Sequence, residues 1–257
     1  MQCPKCKAEQ QDGGVVCARC GIVFEKYWKY HPRSGEPAAA RPSKPVSANS
    51  RRAPAGTIGH AGLRALILPE TRTSDPLSTW ARAALLMVLV IWGLNLIGSS
   101  VASNAVGQSF LHMINLPFHE AGHVFFRPFG EFFTSLGGTL GQLLMPLIAM
   151  LVLLFKTRDP FGASVALWWF GENFLDIAPY IHDARAGVLP LVGGNFGHSS
   201  PYGFHDWEYL LTETGFLHLD HQLAQASHLI GSLIMLLALA WGALLVYRQL
   251  SVASRRS

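Results

Sequence analysis

His119, Glu120 and His123 have the types and the spacing to activate a water molecule. Two histidines four residues apart lie on one face of a helix, close enough for both imidazoles to reach one zinc ion. Glu120, beside them, can act as general base on a water held by that zinc. A zinc site that works on a substrate takes three protein ligands and keeps the fourth position for water, so a third ligand must come from elsewhere in the chain. Asp176 is the first candidate, within Asn173-Phe174-Leu175-Asp176-Ile177-Ala178-Pro179, an apolar stretch that Pro179 bends or ends. Asn173, one turn earlier on the same face, is placed to bond a substrate or a developing oxyanion. Glu172 offers similar chemistry but faces about 100° away from Asn173. His182 and Asp183, just beyond the proline, are the alternative ligands. The plain alternative for the whole set is buried histidines and a buried carboxylate, each satisfied by hydrogen bonds.

The elements around these residues give the short motif its weight. The three polar residues sit within a largely apolar segment, Phe110–Phe126, where ionisable groups are expensive to keep. Gly122, inside the motif, leaves room for close approach by another helix or a substrate backbone. Half of the 257 residues are hydrophobic and 14% are charged, well below the ~25% of a soluble domain. The basic residues cluster in 1–82, which reads as a soluble head followed by a membrane body. The net charge of +4 sits beside the first apolar segment, so it reads as membrane orientation and attraction to anionic lipid, with no nucleic-acid partner expected.

Five apolar segments follow: Trp80–Ala102, Gly107–Phe129, Phe133–Phe155, Phe161–Ile181 and Leu223–Tyr247. Their lengths suit an ordinary bilayer. The expected fold is mainly α, a polytopic helical membrane protein of about five spans over residues 72–257. Arg72 and Arg82 place the N-terminal side inside, and five crossings would then leave Lys156, Arg158, Arg248, Arg255 and Arg256 outside, against the positive-inside rule. A re-entrant third segment opening at Gly137-Gly138, or a sixth crossing within 186–222, would resolve the conflict. The segment 184–222, rich in glycine, histidine and aromatics, reads as an ordered cap over the site. His218, Asp220, His221 and His228 add a cluster without the spacing of a known metal motif; interfacial histidines are the simpler reading.

All four cysteines lie in the first 20 residues, as Cys3-Pro4-Lys5-Cys6 and Cys17-Ala18-Arg19-Cys20-Gly21. Two such pairs aim four thiolates at one tetrahedral ion, a closed structural zinc site of the zinc-ribbon kind. Residues 1–30 form this module, with Ile22, Val23, Phe24, Tyr27, Trp28 and Tyr30 available as its small core. Residues 31–71, rich in Pro, Ala, Ser, Gly and Arg, read as a flexible linker, with Leu63–Leu68 as a patch for the membrane surface. No apolar run precedes about Ala83, so the head is expected to stay in the cytoplasm, on the inner membrane of a bacterium.

The His119-Glu120-Ala121-Gly122-His123 helix with the later Leu175-Asp176 pair resembles the site-2 protease family of intramembrane metalloproteases. The resemblance covers residues 107–182. The chain departs from that family: Asn173 lies only three residues before Asp176, Ile177 replaces a glycine, and the zinc ribbon and histidine-rich cap are not general features of the family, which makes this a divergent member. The resemblance implies a catalytic zinc ion in the membrane, in addition to the structural one read from the cysteines. The catalytic ion would sit on His119, His123 and Asp176, with Glu120 as base, and the substrate would be a membrane-associated protein or peptide. The ribbon would be free to contact a protein partner. A silent zinc-binding protein and a lipid amide hydrolase are the alternatives that the same residues allow.

Overall fold

The computed structural model describes residues 1–11, 13–30, 60–69 and 75–254. The linker stretch 31–59 lies outside the described residues. The chain divides into two compact units, Met1–Gly56 and Thr57–Ser257.

In the first unit the two cysteine pairs make near-identical turns. Lys7 N–H donates to Cys3 O and Gly21 N–H to Cys17 O, both at 2.9 Å; Cys3 N–H and Cys17 N–H donate onward to Ala8 O and Ile22 O. The residue after each pair is left-handed, Lys7 at φ 60° and Gly21 at φ 70°. That conformation turns the chain tightly enough to point both sulfurs of a pair the same way. Glycine adopts it freely and lysine pays a small strain. Two isolated antiparallel bridges, Gln2 with Glu9 and Val16 with Val23, flank the turns. The helix α1 (Phe24–Tyr30) then packs Phe24 and Trp28 against the cysteines.

The second unit is mainly helical, and its described residues hold one isolated bridge, Pro190 with Phe196, and no strand. Its elements are α2 (His60–Ile67), α3 (Pro76–Gly98), α4 (Phe110–Phe126), α5 (Glu131–Leu151), α6 (Pro160–His182), α7 (Asp206–Glu213) and α8 (Asp220–Ser254). The helix α2 lies inside the stretch read as linker, and its Leu66 is buried against Leu154 and Ala163. Trp241 Nε1 donates to Ile67 O at 3.0 Å. The patch expected at the membrane surface therefore packs at least in part against the protein's own helices.

Asp75 caps α3, accepting from Ser78 N–H at 3.3 Å, and Pro76 supplies a pre-set first helical residue. Among the described residues three helical stretches are long and apolar enough to cross a membrane: Pro76–Gly98, Glu131–Lys156 and Leu217–Val252. They leave large apolar side chains outward, among them Met87, Ile91 and Leu94 on α3 and Leu229, Leu233 and Leu237 on α8. A face of this kind suits lipid, where the helix satisfies its own backbone. Three helices, against the five segments expected, meet the length and apolarity of a span. In α4 and α6 the polar residues lower the apolarity, and many of them turn inward. Gly137 and Gly138, where a re-entrant third segment is one of the alternatives, sit inside the continuous helix α5. Residues 186–205 and 214–216 hold only short turns and irregular backbone and α7 is eight residues long, so no sixth crossing forms there.

The helix α6 is the central element. Its Trp168 and Leu175 are buried with Met235, Ala238 and Leu239 of α8 and Leu89 and Leu96 of α3. Toward its C-terminal end Ile177, Ala178 and Ile181 pack with Val101, Leu211 and Ala224. That second cluster ties the end of α6 to α7 and fixes where α7 begins.

Candidate metal sites

The helix α4 carries His112, Asn115, His119, Glu120 and His123. Positions 112, 119 and 123 recur at helical spacing and share one face. The helix α5 returns antiparallel against α4 at very short range. A side-chain carbon at Gly122 would overlap Gly137 O, and one at Gly138 would come within 2.5 Å of His119 Nε2 and 2.7 Å of His123 Cε1. Only the absence of a side chain at these positions lets α5 lie against both rings.

Both imidazoles are fixed from behind. The Nδ1 of His119 lies 3.0 Å from Gln142 Oε1, and that of His123 lies 2.7 Å from Thr134 O. A carbonyl can only accept, so each Nδ1 is the N–H and each Nε2 keeps its lone pair. The two Nε2 atoms converge on one oxygen, Asp206 Oδ2, at 3.2 and 3.3 Å. The other oxygen, Oδ1, accepts from Ser135 Oγ at 3.0 Å. Two imidazole lone pairs and one carboxylate oxygen around a common point, with both histidines held by protein acceptors, form a donor set that fits zinc. His119, Glu120 and His123 are close enough to form a metal-capable group by themselves.

No family model, curated protein or solved structure matches this chain. The reading of the site therefore rests on its own geometry.

Asp176 does not reach the imidazoles directly. Its Oδ1 lies 2.9 Å from His112 Nδ1, and its Oδ2 accepts from Asn115 Nδ2 and Gln142 Nε2, both at 3.0 Å. Gln142 thus links the two groups, giving its N–H to Asp176 and its carbonyl to His119. Asp176 decides which way that amide faces, and the amide decides the tautomer of His119. The carboxylate that the structure brings to the two Nε2 atoms is that of Asp206. Asn173 points elsewhere, donating from Nδ2 to Trp169 O at 2.9 Å, and does not line the cavity. Glu172 is wholly buried and accepts from Asn115 Nδ2 at 3.0 Å.

The two alternative ligands are also placed otherwise. The ring of His182 stacks on that of His221 at 3.9 Å. Asp183 accepts from Val188 N–H and Leu189 N–H, and its Oδ2 lies 3.5 Å from His205 Nε2. Burial raises the Asp183 carboxyl, while the His205 bond and the two amides outweigh it and lower the pKa. His205 caps α7, its Nδ1 accepting from Glu208 N–H, and its ring stacks on Tyr180 at 4.3 Å. Asp206 N–H lies 3.4 Å from Tyr180 Oη, an acceptor at the end of α6. Asp183 and Tyr180 thus act at one remove: they seat the start of α7, and α7 delivers Asp206. In sequence Asp206 looks like an ordinary acidic residue of a helix first turn, favoured there by the helix dipole.

A cavity of about 840 Å³ opens over the site. Glu120 lines it, as do Thr139 and Arg127, and the cap contributes Leu191, Tyr202 and Tyr209.

In the first unit Cys3, Cys6, Cys17 and Cys20 bring their sulfurs within 4.8 Å of one another. Cys3–Cys20 and Cys6–Cys17 are each 3.7 Å apart, matching the ~3.8 Å edge of a tetrahedron with Zn–S bonds of ~2.3 Å. Burial raises the Cys17 thiol, but N–H groups of Cys20 and Arg19 outweigh it and bring it to about 6. Four thiolates this close repel one another unless a cation sits between them.

Proposed function

We propose that this protein is a membrane-embedded, zinc-dependent hydrolase of peptide bonds. His119, His123 and Asp206 hold the metal and Glu120 serves as general base. The observation that carries the reading is the convergence of two oriented imidazoles and a buried carboxylate on one point. Beside them stands a second, separate carboxylate, Glu120, that lines the cavity. Three protein ligands leave the fourth position for water, the pattern of a working zinc site and not of a closed structural one. The three long apolar helices support placing this chemistry at a membrane. The His119–His123 helix keeps its resemblance to the site-2 protease motif, with the third ligand supplied from α7.

A zinc ion bound there would polarise a substrate carbonyl and make its water acidic enough to ionise near neutral pH. Gln142 and Thr134 keep both Nε2 lone pairs turned to the metal. Ser135 holds Asp206 so that Oδ2 faces the same point. Glu120 takes the proton from the attacking water and returns it to the departing amine nitrogen. The cap residues over the cavity limit how much bulk water reaches these groups.

The four cysteines are read as a structural zinc-ribbon site, closed to substrate. The full chain is then expected to bind two zinc ions.

Glu120→Gln tests the reading. The purified full chain in detergent is offered a solubilised membrane-protein mixture, and new N-termini are counted by mass spectrometry. The variant should keep two zinc ions and lose cleavage by about 10²–10⁴-fold. Undiminished cleavage by Glu120→Gln, or a single zinc in the wild type, would overturn it.

A further inference from the structure

Three histidines on α4 are built in one way. His112, His119 and His123 each have Nδ1 engaged by a protein oxygen: Asp176 Oδ1 at 2.9 Å, Gln142 Oε1 at 3.0 Å and Thr134 O at 2.7 Å. All three rings line the same cavity. His119 and His123 spend their second nitrogen on the metal point at Asp206. The Nε2 of His112 has no partner among the described residues, and its side chain is 37% exposed.

Asp176 is 1% exposed at its side chain and receives three donors, from His112, Asn115 and Gln142. A carboxyl group buried this deeply needs donors on its oxygens and a partner for its charge close by. No Lys or Arg among the described residues pairs with it; His112 does. Carrying that charge makes His112 a donor at Nε2 as well as at Nδ1.

We propose that His112, held by Asp176, forms a substrate subsite that donates a hydrogen bond to an acceptor oxygen of the substrate, a peptide carbonyl or a carboxylate. This rests on the zinc hydrolase reading, because it uses the same cavity. His112 precedes His119 by two helical turns, which is about 10 Å along α4. An extended peptide advances ~3.3 Å per residue. The acceptor therefore lies about three residues from the bond that is cut. The subsite makes affinity depend on a polar group there, whereas the neighbouring Leu116, Ile177 and Leu189 offer only apolar contact.

The test uses three peptide hydroxamates that chelate zinc at one end and carry a three-residue arm. The arms end in a carboxylate, a primary amide, or an alkyl group of the same length. Binding to the full chain in detergent is measured by calorimetry. Wild type should bind at least one acceptor-bearing compound about tenfold tighter than the alkyl compound, the scale of one charge-assisted hydrogen bond. A preference for the carboxylate identifies an acidic group as the natural acceptor, and equal affinity for carboxylate and amide identifies a peptide carbonyl. His112→Phe should abolish the gap. His112→Gln, which keeps a donor for Asp176 without the ring's second nitrogen, should do the same while retaining two zinc ions. Equal binding of all three compounds by wild type, or a gap that survives both variants, would overturn the subsite and leave the metal centre standing. If wild type binds none of the three, both the subsite and the zinc hydrolase reading are overturned.

Discussion

The cysteine module gathers its ligands from one short stretch; paired sulfurs are 17 and 11 residues apart in sequence. Each pair is aimed by its own turn, closed by local N–H bonds and a left-handed residue, and the core beneath is little more than Phe24 and Trp28. The histidine site is assembled differently. Two ligands share a helix, but Asp206 lies 87 residues from His119 and arrives on another helix. Its position depends on Gly138 letting α5 close on α4, and on Tyr180 and Asp183 seating the start of α7. A closed set of local ligands stabilises a small fold; a set of three, drawn from distant elements, leaves an open position in a cavity. On the function proposed above the difference is one of purpose: the first site would need only the metal, while the second would also have to admit a substrate.

The strongest way to break this comparison is to remove ligands one region at a time and count zinc by mass spectrometry. Cys17→Ser should cost the module its ion and leave the histidine site filled. His119→Ala and Asp206→Ala should each do the reverse. Retention of two ions by Asp206→Ala would refute the third ligand assigned here. Next in size is Gly138→Ala. Its new methyl would press on both imidazoles, and is expected to cost about 1–3 kcal/mol of stability together with the second zinc. The control is Gly14→Ala in the cysteine module, where the nearest atom to a new side-chain carbon is 3.5 Å away. It should leave that module's zinc untouched.

Asp176→Ala sharpens the comparison more finely. It frees the Gln142 amide to reverse, so His119 loses its enforced tautomer. Zinc affinity at the histidine site should fall about 10–100-fold, measured by competition with a chelator, with no change at the cysteines. A loss as complete as that of His119→Ala would restore Asp176 to the ligand set. The smallest effect concerns pH. The folded-state pKa of Asp183 is lowered, so the stability it contributes is fully present above the unfolded value of about 4 and is lost as pH falls through the folded value. Melting temperatures of wild type and Asp183→Asn should therefore differ at pH 6, and the gap should narrow as pH falls below about 4. A gap that stays the same at every pH would mean that Asp183 acts through its shape alone.

Local patterns carried much of this protein in plain view. The paired cysteines could be read because turn geometry acts within four residues. His119, Glu120 and His123 could be read because helical spacing fixes a common face. The helical character of the long body also followed from apolar runs of bilayer length. Other features were hidden for identifiable reasons. A hydropathy pattern does not separate a helix that faces lipid from one buried among its neighbours, so α4 and α6 resemble α3 and α8 in sequence. A carboxylate in an apolar helix announces only that it must be satisfied. Asp176 is satisfied by His112, Asn115 and Gln142, which lie on two other helices. Asp206 sits where helices commonly place an acid, and nothing nearby in sequence sets it apart.

The amino-acid sequence by itself determined the cysteine ligand set, the histidine pair with its glutamate, and the mainly helical body, because each depends on contacts within a few residues. Only the tertiary structure decided which carboxylate meets the two imidazoles, the tautomers of the two histidines and the hydrogen bonds of Asp176. Those depend on hydrogen-bond partners that are distant in sequence, and folding alone brings them within 3 Å or so of one another.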